Sequence, residues 1–160
     1  MNKAFLLTGG NLGVREKNLQ QASELLEEFC GKIIKQSSIY ETAAWGKTDQ
    51  PNFLNQVCEI GTKLNPEQLM HEILKIENLM GRQRNEKYGP RIIDIDILFF
   101  NEEIINEPAL KVPHPELQNR RFVLAPLAEI APDLNHPILK KNIAQLLKGC
   151  KDELDVKVYR

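Results

Sequence analysis

Long apolar runs are missing from this sequence. No stretch approaches the roughly 18 uninterrupted apolar residues that a membrane-spanning helix needs, and the opening MNKAFLLTGG is broken by glycine too soon for a signal peptide. Cysteine is scarce: Cys30, Cys58 and Cys150 are odd in number and far apart, with neither zinc-type nor thioredoxin-type spacing, so they read as reduced thiols. An excess of one charge is missing too. The net charge of −1 offers no global field to nucleic acid or to an anionic membrane, so a charged ligand must be met by a local patch. The three histidines, His71, His114 and His136, have no metal-ligand spacing, and there is no repeat, low-complexity tract or linker. These absences lead to the expectation of a soluble cytoplasmic protein with neither nucleic-acid nor membrane partners, and a monomer is the working expectation. What is present is 160 residues, 42% apolar and 27% charged. That is enough for one domain, 1–160, burying roughly 70% of the surface its unfolded chain exposes.

The apolar spacing sets out the elements. A first strand is expected over Lys3 to Thr8, stopped by two glycines, then a helix from Val14 to Cys30 whose face is Leu19, Ala22, Leu26 and Phe29. Lys32 to Thr42 and Phe53 to Leu64 read as strands, joined by a loop containing Gly46 and Pro51. Asn65 as N-cap, Pro66 at the first helical position and Gln68 closing a capping box predict a second helix, with Leu69, Ile73, Ile76 and Met80 on its buried face. Glu77 lies off that face, so exposure is its default. A strand over Ile92 to Phe100, a short return strand near Ile104, two short helices and a late edge strand in LDVKVYR complete the chain. The order predicts an α+β layered fold of ferredoxin-like type, with a mostly antiparallel sheet and helices packed on both faces.

Two aspartates interrupt the most apolar strand, GPRIIDIDILFF. Asp94 and Asp96 are two residues apart, on one face of a strand and ~7 Å from each other along it. Side by side and partly desolvated they repel, and a hard divalent cation removes both penalties. The competing reading is a solvated face paired to Arg or Lys; apolar Ile92 and Leu98 on the same face weaken it. Just upstream, Arg82 to Arg91 carries Arg82, Arg84, Lys87 and Arg91 against Glu86. Guanidinium groups suit phosphate oxygens; alone, such a loop is more often only solvated, but here it feeds directly into the Asp-x-Asp strand. Two nucleotide motifs fail. TGGNLG has Thr8 where a dinucleotide fingerprint needs Gly, and GKT at Gly46 to Thr48 lacks the first Gly of a P-loop. Phe53 and Phe122, each taken alone, read as core.

The runs GGNLG, SSIYET, DQPNFLNQV, GRQR, YGPRIIDIDILFF and VPHPELQNRRFVLAPLAEIAP resemble, in order, the 6-hydroxymethyl-7,8-dihydropterin pyrophosphokinase family of folate biosynthesis. The resemblance extends to about Asp133. It implies transfer of diphosphate from ATP to the pterin hydroxymethyl group, with release of AMP. It implies two Mg²⁺ ions on Asp94 and Asp96, and a closing loop that carries Arg82, Arg84 and Arg91. It places Glu77, His114 and Arg120 at the nucleotide. Phe53 and Phe122 would enclose the pterin, with Asn55 and the stretch Thr42, Ala43 and Trp45 at its polar edge. The chain departs from the family pattern at Gly10, Ala43, Ala44, Trp45, Phe53, Tyr88 and Arg121. Two other classes stay open on the residues alone: a nucleic-acid-binding α+β module, disfavoured by the acidic pair, and a different Mg²⁺-dependent phosphoryl or nucleotidyl transferase.

Overall fold

The computed structural model describes residues 1–44, 49–82 and 89–160. Six strands form one antiparallel sheet: β1 (Asn2–Gly10), β2 (Lys32–Gln36), β3 (Tyr40–Thr42), β4 (Phe53–Thr62), β5 (Asp94–Phe100) and β8 (Val156–Val158). Their spatial order is β5-β1-β4-β3-β8, with β2 also paired to β4. A separate hairpin joins β6 (Ile105–Glu107) to β7 (Leu110–Val112). Helices α1 (Arg15–Phe29) and α2 (Pro66–Leu79) cover one face of the sheet; α3 (Arg121–Ile130) and α4 (Ile143–Lys148) cover the other. No helix among the described residues is long and apolar enough to cross a membrane.

The central strands are covered on both faces, so β1 and β4 are buried along nearly their whole length. Alternation deals their side chains into two cores. Ala4, Leu6, Leu54, Cys58 and Ile60 join Leu19, Leu26, Leu69, Ile73 and Ile76 from α1 and α2. Phe5, Leu7 and Val57 join Val123, Leu124, Leu127 and Ile143 from α3 and α4. The capping box of α2 forms as expected: Asn65 accepts from the Gln68 amide at 2.8 Å, and Gln68 Oε1 accepts from the Asn65 amide at 2.9 Å.

Two strand expectations are corrected. Lys32 to Thr42 is two strands, because buried Ser37 inserts its hydroxyl into the ladder and accepts from Val57 N at 3.0 Å. One extra residue on that side then separates the Gln36–Cys58 and Tyr40–Asn55 pairs. The last long strand begins at Asp94 rather than Ile92, and Ile92 packs toward the α1/α2 core. The aspartates therefore open the strand instead of interrupting it. A register shift against Phe5 and Leu6 also places consecutive Leu98 and Phe99 in the α3/α4 core. The short return strand expected near Ile104 forms as β6, paired with β7.

The pairing brings four strand ends together, those of β1, β3, β4 and β5. Gly9 lies opposite Asn55 on one side and Asp94 on the other, Leu7 opposite Asp96, and Thr42 opposite Phe53. The residues named for chemistry thus gather at one end of the sheet.

His136 is a buried element of the second core, in edge-to-face contact with Phe99 at 5.7 Å. Its Nδ1 accepts from the amides of Ile138 and Leu139 at 3.2 and 3.1 Å. Burial holds its pKa below the ordinary histidine value. A depressed folded-state pKa adds stability above the unfolded value of ~6.5 and loses it as pH falls through the folded one. His136→Asn keeps an acceptor for the two amides but cannot titrate. Urea midpoints at pH 7 and pH 5 should show a smaller acid-induced loss for this variant than for the parent.

Candidate active site

Close backbone approach shapes the end of the sheet. A Cβ on Gly9 would stand 2.2 Å from Asn55 Oδ1, and one on Gly10 would stand 2.2 Å from the Ile92 carbonyl oxygen. Gly10 therefore lets the segment entering β5 cross directly over the end of β1. Beside this crossing lies a cleft of about 560 Å³, its open mouth included. Its floor and one wall are Gly9, Asn55, Phe53 and Phe122; Asp94, Asp96, Arg91 and Arg120 form the polar side, and Thr42 and Ala43 the rim. Asn55 is buried, and its Nδ2 makes no hydrogen bond within the described structure. A buried donor without a partner is costly, and here it lines a cleft that a ligand can enter.

Asp94 and Asp96 share one face of β5 as their spacing predicts, since Ile95 and Ile97 between and beyond them enter the opposite core. Asp94 is held from both sides. Arg82 Nη1 donates to its Oδ1, and Arg91 Nη1 to its Oδ2 at 3.1 Å. Asp96 is pushed up to about 8, first by burial and then by the charges of Asp94 and Glu77, with Arg120 and Arg82 opposing. Among the described residues no cluster of three or more metal-ligating side chains exists. Two carboxylates fit Mg²⁺ nonetheless, because that ion commonly takes one or two and fills its remaining positions with water and phosphate oxygens.

Glu77 corrects its expected exposure: it is 2% exposed. Its Oε2 accepts from the Ile95 amide at 2.8 Å and from Arg82 Nη1 at 3.1 Å. The apolar period of α2 hides this, because Glu77 is buried against the start of β5 by pairing rather than by hydrophobicity. His114 does not line the cleft. Its amide donates to the Leu98 carbonyl, and its pKa is lowered by burial and then by Arg120, with Asp94 and Glu116 opposing. Phe53 and Phe122 each face a guanidinium, from Arg91 at 5.6 Å and Arg120 at 5.9 Å. Both line the cleft, and Phe122 also packs against the α3/α4 core. Arg84 and Trp45 lie outside the described residues.

Two further residues escape a reading of the sequence. Arg15 Nη1 reaches Glu41 Oε2 at 2.8 Å and the Asn52 carbonyl at 2.9 Å, joining the strands on either side of the cleft rim. Its signal is a base in the first turn of a helix, where the dipole disfavours one. Arg121 donates to the carbonyls of Asp152 and Cys150, and its amide to Asp152 Oδ2, each at 3.0 Å. That clasp holds the tail that continues into β8 along β3.

The family model for 7,8-dihydro-6-hydroxymethylpterin-pyrophosphokinase matches residues 5–132. The chain belongs to this family. The 2-amino-4-hydroxy-6-hydroxymethyldihydropteridine pyrophosphokinase of Aquifex aeolicus (strain VF5) is 45% identical over 145 residues, covering 91% of this chain and 90% of the relative. The Bacillus subtilis (strain 168) protein of the same description is 49% identical over 130 residues, covering 81% and 78%. Among solved structures, wild-type Plasmodium falciparum HPPK-DHPS aligns over 92% of this chain with a TM-score of 0.74 at 22% identity. This chain spans 43% of that one, and the likeness is one of fold.

Within this pyrophosphokinase fold, Glu77 ties α2 to the acidic strand. Glu77→Ala leaves the Ile95 amide and Arg82 each short of a partner and should cost about 2–4 kcal/mol in urea unfolding. Glu77→Gln, which retains an acceptor, should cost clearly less.

Proposed function

We propose that residues 1–160 act as one pyrophosphokinase domain, a cytoplasmic monomer that transfers diphosphate from ATP to the hydroxymethyl group of 6-hydroxymethyl-7,8-dihydropterin in folate biosynthesis. The protein is an ATP-dependent diphosphotransferase. The observation that carries the assignment of its site is the shared cleft: a paired-carboxylate strand end, two aromatic side chains and a buried amide donor open to the same space.

A flat heterocycle is held well by aromatic faces and a few aimed polar groups. Phe53 and Phe122 take the pterin ring. Asn55 Nδ2 donates to its polar edge, and Thr42, Ala43 and Trp45 complete that side. The Thr42 hydroxyl is already committed to the Asp155 carbonyl at 2.9 Å, which leaves recognition at this position to the backbone. Asp94 and Asp96 hold two Mg²⁺ ions, which when bound neutralise triphosphate oxygens and stabilise the attacking hydroxyl.

Arg82 and Arg91 neutralise Asp94 when no cation is bound to it, and they turn to phosphate oxygens once ATP arrives. Arg84 and Arg120 serve the same phosphates, and His114, set beside Arg120 outside the cleft lining, meets them at the cleft's edge. Glu77 acts on the nucleotide side by holding Arg82. Positioning and charge neutralisation are the main demands of phosphoryl transfer. The pterin hydroxyl oxygen forms its bond to the β-phosphorus as the bond from that phosphorus to the oxygen of AMP breaks, and the hydroxyl proton is released.

Separation of nucleotides after incubation with ATP, Mg²⁺ and the pterin tests this reading. AMP that requires both metal and pterin is the expected product; ADP, or no change, overturns it. Asp96→Ala should abolish AMP formation while the melting midpoint stays level or rises, because the lost carboxyl is desolvated and repelled by its neighbours. Phe122→Ala should raise the pterin KM on the order of tenfold and leave the ATP KM within about twofold.

A further inference from the structure

Asn11, in the GGNLG run, has no role in the chemistry above. It is 3% exposed, and every polar atom of its side chain is engaged. Nδ2 donates to Gln50 Oε1 at 2.8 Å and to the Pro51 carbonyl at 2.9 Å. Oδ1 accepts from the Arg91 amide at 2.9 Å, and the Asn11 amide donates to the Arg91 carbonyl at 2.9 Å. Reversing the carboxamide would set its oxygen against two acceptors and its nitrogen against a donor, so the network defines the orientation.

The two segments it joins lead to opposite halves of the cleft. Gln50 and Pro51 precede Phe53, the aromatic wall. Arg91 sends its guanidinium to Asp94 and over the Phe53 ring. The Leu12 amide also donates to the Arg91 carbonyl, and Gly10 leaves no Cβ in the way of Ile92, so this anchor is rigid.

We infer that Asn11 is a positioning residue that sets the pterin wall and the phosphate-handling Arg91 at a common distance, one amide group serving both. The inference rests on the assignment of the cleft to pterin and ATP. It differs from a purely structural role because the two halves of the carboxamide do separate work. Asn11→Asp keeps an oxygen for the Arg91 amide but turns a carboxylate oxygen toward the Pro51 carbonyl, which can only accept, while Gln50 can reverse its own carboxamide and donate. It therefore releases the pterin side alone. Asn11→Ala releases both sides.

Steady-state kinetics on the full chain test this. Asn11→Asp should raise the pterin KM about tenfold, the consequence of losing the bond to the Pro51 carbonyl and setting a carboxylate against it, with the ATP KM within about twofold and kcat largely kept. Asn11→Ala should raise the pterin KM and also lower kcat. Gln50→Ala, a rim change that leaves the buried anchor in place, should raise the pterin KM less than Asn11→Asp does. Equal changes in both KM values for Asn11→Asp, or none with Gln50→Ala also silent, overturn the inference. Amide hydrogen exchange separates this from the functional reading. Asn11→Asp should speed exchange in residues 50–55 and spare Arg91, whereas Asn11→Ala should speed both. Exchange rising together in both variants defeats the inference even if the parent protein makes AMP, and the split pattern sustains the anchor even if it makes none.

Discussion

Charge compensation where β5 begins is the constraint on which the rest of the structure depends. Asp94, Asp96 and Glu77 converge there with their carboxylates partly or wholly out of water. Left alone, such a group either takes up a proton or disrupts the fold. Arg82 bridges Glu77 and Asp94 with a single nitrogen, and Arg91 closes the other oxygen of Asp94. Glu77 spends the same oxygen on the Ile95 amide, so the cluster also sets α2 against the sheet. The same interactions therefore hold the fold together and line the polar side of the cleft.

The rest of the end of the sheet is organised to let chain segments come close. Gly9 makes room for the Asn55 carboxamide, and Gly10 for the Ile92 carbonyl. A side chain at Gly9 would displace the Asn55 carboxamide, and one at Gly10 would push the segment entering β5 off the end of β1. The rim is held from further away. Arg121 clasps Cys150 and Asp152, β8 then pairs along β3, and Thr42 bonds the Asp155 carbonyl. Arg15 adds a link from α1 to both Glu41 and Asn52, with the Tyr159 ring 5.6 Å from its guanidinium. A tail distant in sequence thus fixes residues at the mouth of the cleft.

Much of this is legible from residue order. The faces of α1 and α2 follow from their apolar spacing, and the start of α2 from Asn65, Pro66 and Gln68, because those signals are local. The shared face of Asp94 and Asp96 follows from the strand period. Glu77 is misread because its burial is decided by Arg82 and an amide from β5, neither of which its helix reveals. The break at Ser37 is hidden for a similar reason: a hydroxyl replaces a ladder partner only when the opposing strand stands in register.

By itself the sequence determined the elements, the acidic pair, the basic approach to it and, through the ordered runs of motif, the family. Tertiary structure decided which of those residues meet. Antiparallel register put Gly9, Asn55 and Asp94 side by side, close packing gave Gly10 its purpose, and pairing drew Glu77 inward and set Asn11 between two halves of the cleft. Periodicity and capping depend on neighbours within a turn or two of chain. Charge pairing and close backbone approach depend on atoms that only the folded sheet brings within a few ångströms.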